Sequence, residues 1–98
     1  MDEIRHGDIC LEPIEKFPEN LNIKDNILAK GEKTGHFHEL VGDVQVMIDN
    51  KGNQFAQVKQ DSQLVHQEHH VLTIPKGKYA VIQQREVDLL GEVRQVSD

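Results

Sequence analysis

Five of the six histidines of this chain fall in two short segments, "GHFH" at 35–38 and "HQEHH" at 66–70. Neutral imidazole is a good ligand for zinc, iron, manganese, nickel or copper, and a pair of such groups is a common half-site. On an extended strand, residues i and i+2 project from one face, roughly 6–7 Å apart. His36 and His38 can therefore converge on one ion. In the second segment a straight strand would put His66, Glu68 and His70 on one face, whereas a bulge at Gln67 or Glu68 would bring His66 to His69. Glu68 is available as a further ligand or as an outer acceptor for an imidazole N–H. Together the segments predict a site for a divalent transition metal, with four nitrogens or with three nitrogens and a carboxylate. Three protein ligands and an open position suit catalysis; four suit structure. The competing reading is that each His pair is solvated polar surface on a sheet. His6 stands apart from both segments and reads as a surface histidine.

The elements that must position these groups are short strands separated by turn signals. "GDICLEPI" (7–14) reads as a first strand that stops near Pro13. Residues 15–26, with Pro18, three Asn and an Asp, read as a long irregular connection. A short strand at 27–32 follows. In "HFHELV" (36–41), alternation puts His36, His38 and Leu40 on one face and Phe37, Glu39 and Val41 on the other. Gly35 lets the backbone turn sharply into that strand. Residues 44–58 form the clearest hairpin, with "DNKG" as its turn. "LVHQEHHVLTIP" (64–75) is one long strand, or two with a break. "PKGK" turns again, "YAVIQQREV" (79–87) is rich in β-formers, and 88–98 is a last strand or a helical turn followed by one. No window shows a 3.6-residue period. The expected fold is all-β, a small barrel or sandwich formed by a single domain over residues 1–98.

Composition narrows the functions. With 37% hydrophobic and 29% charged residues, the 98-residue chain has ordinary globular composition. No stretch approaches the roughly 18 apolar residues of a membrane span, and the acidic start "MDEIRHGD" is unlike a secretory signal. The expected location is the cytoplasm, with no membrane partner. A net charge of −6 with scattered Lys and Arg makes nucleic acid a poor partner. Cys10 is the only cysteine, which excludes an internal disulfide and a thiolate zinc knuckle. In the apolar run "DICL" it reads as a buried, inert thiol. Few aromatics (one Tyr, three Phe, no Trp) argue against a large stacking pocket.

Other polar groups carry less chemistry. Arg85, at the end of an apolar strand, is placed to bind a carboxylate or phosphate bidentately; the plainer reading is a weak surface ion pair. Ser62, Thr34 and Thr73 lie in no nucleophile-elbow or triad context. No phosphate-binding glycine loop occurs.

The segments "GEKTGHFHEL", "LVHQEHHVLTIPKGKYAVIQQREV" and "VRQVSD" resemble those of a group of small, uncharacterised bacterial and phage-associated proteins. Their pattern is G-E-x-T-G-H-x-H, then H-x-E-H, then P-x-G-x-Y and Q-R-E, after a G-D-[VI]-L opening like that in "HGDICLEPI". The resemblance falls on Gly31, Glu32, Thr34, Gly35, His36 and His38, on His66, Glu68 and His69, and on Pro75, Gly77, Tyr79, Gln84, Arg85 and Glu86. It favours His69 over His70 as the partner of His66, and it implies no activity. A narrower resemblance is to the cupins, which use a glycine-led His-x-His, a glutamate, a P-x-G turn and a later histidine. Here Glu39 follows His38 at once and the second His group precedes "PKG", so the likeness extends to a cupin-like small β-domain with a His site.

The leading expectation is a small metal-binding β-domain in which His36, His38, His66 and His69 hold the ion. Were it an enzyme, Glu68 and Arg85 would be its candidate catalytic groups, acting on a small-molecule substrate with a metal that polarises an oxygen or activates water. The rival is a non-enzymatic structural or interaction protein, phage-associated or homo-oligomeric, with histidines at an interface. Assembly into homo-oligomers is expected in either case, because small β-domains close their open edges by pairing.

Overall fold

The computed structural model describes residues 3–30 and 35–83, together with the backbone of 85–87 and 93–95. Alternating apolar residues and closely spaced turn formers give twelve short strands: β1 Ile4–His6, β2 Ile9–Pro13, β3 Asn22–Lys24, β4 Ile27–Lys30, β5 Phe37–Val41, β6 Val44–Ile48, β7 Gln54–Val58, β8 Ser62–Val65, β9 Leu72–Ile74, β10 Gly77–Gln83, β11 Arg85–Val87 and β12 Val93–Gln95. One sheet has the order β1-β2-β10-β7-β6-β3 and a second the order β4-β5-β8-β9, and β11 pairs with β12 alone. Every pairing is antiparallel. Among the described residues neither sheet closes on itself, so of the two expected all-β architectures the sandwich fits. No helix among them is long and apolar enough to cross a membrane.

The core draws on both sheets. Ile9, Leu11, Val46, Ala56, Val58 and Tyr79 come from the larger one, and Leu28, Leu40, Leu64 and Ile74 from the smaller. Burying a Leu, Ile or Val side chain contributes about 1.5–3 kcal/mol each, so these positions hold the sheets together. Tyr79 is fully buried, and its hydroxyl donates to the Pro75 carbonyl at 2.8 Å, which satisfies the one polar atom it brings inside. Cys10 is also buried and its Sγ donates to Glu3 Oε2; burial first, and then the Glu3 carboxylate, push its thiol pKa upward.

The hairpin at 44–58 forms as its sequence predicts, with Asp49 accepting from the backbone N–H groups of Lys51 and Asn53 to set the turn. The connection at 15–26 is less irregular than expected. Asn22–Lys24 pairs with Val46–Ile48 as the edge strand of the larger sheet. A neighbouring strand there supplies backbone partners that local composition does not announce. The segment 64–75 is two strands, with 66–71 as the loop between them.

Candidate metal site

The site is built where the first β-hairpin meets the centre of the smaller sheet. In β5 the alternation works as expected, with His38 and Leu40 buried. Glu39 pairs with Val65 and Leu40 with Leu64. One step further along the same register puts His38 opposite His66, and their ring centres are 4.4 Å apart. His66 is the first residue of the loop that leaves β8. That loop bends through 67–69 and returns His69 to the cluster, its ring centre 4.5 Å from that of His66. A loop, not a bulge within one continuous strand, joins these two histidines.

One ligand atom from each of His38, His66 and His69 lies within 4.8 Å of the others. His38 is 1% exposed and His66 7%. His69 Nε2 is buried and has no hydrogen-bond partner among the described residues. The imidazole of His70 is not part of this group; its backbone carbonyl is used instead. His36 lies just before β5, partly buried, with its ring centre 5.4 Å from that of His66. Its Nδ1 is 3.6 Å from the Glu68 carboxylate, which is itself largely exposed. His36 and Glu68 thus flank the three convergent rings on the solvent side. The side chain of Arg85 lies outside the described residues.

Two residues that the sequence reading left out also stand here. His6, read as a surface histidine, is 4% exposed and belongs to the cluster, with its ring centre 5.1 Å from that of His38 and 5.3 Å from that of His69. Its Nε2 donates to the His70 carbonyl at 2.7 Å, and its Nδ1 is 3.0 Å from His38 Nδ1. Burial lowers the pKa of His6, the His70 carbonyl acts in the opposite direction, and the nearby His69 and His66 lower it further. Asp8, 2% exposed, sets Oδ1 3.3 Å from His38 Nε2, and Gln83 Nε2 donates to Asp8 Oδ2 at 3.0 Å. The signal in the sequence was "HGD" at the head of a strand. Gly7 and Asp8 form the two-residue loop between β1 and β2, with φ of +64° at Gly7. An ideal Cβ on Gly7 would lie 2.7 Å from His69 Nε2 and 3.1 Å from His38 Cε1, so the backbone itself lines the cluster.

The family described as "Domain of unknown function (DUF8820)" matches residues 5–84, which includes every residue of this site. The chain belongs to that family. No curated protein and no solved structure matches it. The DUF8820 assignment agrees with the expectation of a small uncharacterised domain family at that coarse level, without reaching the motif pattern or the cupin likeness, and attaches no activity to the fold. What the domain can do chemically therefore rests on its own residues: the cluster of His38, His66 and His69, the first two buried and the third partly so, could coordinate a metal ion.

Proposed function

We propose that this DUF8820 domain binds a divalent transition metal through the imidazoles of His38, His66 and His69. The observation that carries the reading is the convergence of three ligand nitrogens, from β5 and from two positions of the β8–β9 loop, with His38 and His66 buried and His69 partly so. Sites lined by neutral imidazole suit zinc, iron, manganese, nickel or copper. His36 and Glu68 stand at the outer side of the three rings, where Glu68 is placed to orient His36. The burial of the imidazoles within one chain supports a site internal to the subunit over histidines that line an interface. Self-association would use the sheet edges instead. Edge strand β3 carries Ile23, which is 74% exposed.

The test is metal analysis of protein made without a His tag, followed by titration with zinc and cobalt. The expected result is one ion per chain, with uptake lost in His66→Ala and His69→Ala while His70→Ala, whose side chain is outside the cluster, retains it. Metal-free protein that takes up no ion on titration defeats the proposal.

A further inference from the structure

A fourth imidazole, His6, lies outside the trio whose ligand nitrogens are within 4.8 Å of one another, but its Nδ1 is 3.0 Å from that of His38. We infer that His6 coordinates the same ion through Nδ1, beside His38 Nδ1, with the His70 carbonyl and the Asp8 carboxylate as the outer partners of the two rings. This inference rests on the metal-binding reading of the cluster.

A neutral imidazole has one N–H and one lone pair, so fixing one nitrogen fixes the other. His6 Nε2 is 2.7 Å from the His70 carbonyl oxygen, which can only accept. The ring proton of His6 is therefore on Nε2 and its lone pair on Nδ1. His38 Nε2 is 3.3 Å from Asp8 Oδ1, with both side chains almost wholly buried. The negative Asp8 oxygen favours the proton of His38 on Nε2 as well, through a close charge contact rather than an aligned hydrogen bond. Both lone pairs are left on Nδ1, and these two atoms face each other at 3.0 Å. Two lone pairs at that distance repel unless a cation joins them.

The separation suits a metal ion. Two nitrogens bound to one ion by bonds of about 2.1 Å lie about 3.0–3.4 Å apart, depending on the angle between them. Each ring also has its far nitrogen against oxygen, as metal-ligating histidines do, one on a backbone carbonyl and one on a carboxylate. Gln83 holds that carboxylate in place. The rival occupant of the gap is a proton. The rest of the cluster favours metal: His69 Nε2, buried and without a hydrogen-bond partner among the described residues, lies against the Gly7 backbone that links His6 to Asp8. Four imidazoles from β1, β5 and the β8–β9 loop make a closed site, the form that serves structure more than catalysis.

The test is NMR of the full chain, labelled with a magnetic nitrogen isotope in histidine and loaded with a magnetic cadmium isotope. Scalar coupling from cadmium to both His6 Nδ1 and His38 Nδ1 is expected. Coupling to His38, His66 and His69 but none to His6 overturns the inference and leaves the metal-binding proposal standing, as does coupling through His38 Nε2. Absence of any cadmium uptake removes both. In parallel, His6→Gln should lower cobalt affinity about tenfold or more and shift the visible cobalt bands, and Asp8→Asn should lower it roughly 10–100-fold. Unchanged affinity and bands in His6→Gln overturn the inference.

Discussion

His38 has a different neighbour at each nitrogen, Asp8 on one side and His6 on the other, and both come from the opening hairpin. Gly7 makes this approach possible. An alanine there would have to hold a left-handed backbone and place its methyl against His69 Nε2. Gly7→Ala is therefore expected to cost about 1–2 kcal/mol from the backbone alone and to weaken ion binding, measured by denaturant melts and cobalt titration; full retention of both would show that the loop adapts freely. His6 sets a pH dependence. Its folded pKa lies below the ordinary 6.5, chiefly because it is buried, so the unfolded chain binds the proton more readily. The corresponding stability is present above that value and is lost as pH falls through the folded pKa. In chelator-treated protein the denaturation midpoint should fall between about pH 7 and about pH 5, and less steeply in His6→Gln; equal slopes would exclude His6 as the source. The alternation that buries His38 and Leu40 is a local pattern and was legible in the sequence, whereas His36 falls just before the strand and outside the convergent trio. The burial of His6 was not, because its contacts lie 32 and 64 positions away.

At the scale of elements, the β8–β9 loop contains a conflict that ion binding at His66 would have to resolve. The Glu68 backbone N–H donates to His66 Nδ1 at 3.0 Å, which requires a lone pair on that nitrogen. A neutral imidazole that binds a metal through Nε2 carries its proton on Nδ1, and one that binds through Nδ1 has no lone pair left for Glu68. Coordination by His66 and this hydrogen bond therefore exclude each other. Metal loading should move the Glu68 amide resonance and speed its hydrogen exchange, while Phe37, whose N–H is held by the Gln67 side chain, reports whether the loop shifts as a unit. A Glu68 amide indifferent to metal would place His66 outside the coordination sphere. The hairpin at 44–58 was legible because "DNKG" and strict alternation are both local. Strand β3 was not, since Asn22–Lys24 is extended only by its pairing with Val46–Ile48. Nor was the break after Val65, because an apolar run broken by histidines reads alike as one strand or two. The choice between barrel and sandwich also depends on which strands meet, and periodicity carries no information about that.

For the whole molecule, the cluster gathers residues from the first hairpin, the middle of the chain and the loop after β8. An ion held there at about 100 times its dissociation constant adds about 2.7 kcal/mol to folding. In a chain of this size that raises the melting temperature by about 10–20 °C. Differential scanning calorimetry with and without chelator should show the drop, and a midpoint indifferent to chelator would mean that the ion, if bound, contributes nothing to the fold. A chain with a single cysteine has no covalent staple available to it. An ion held between position 6 and position 69 would join distant parts of the chain as a disulfide does, but it would stabilise by binding the folded state rather than by limiting the unfolded chain. Unlike sulfur chemistry, this fastening would open and shut with the supply of free metal, whatever the redox state of its surroundings.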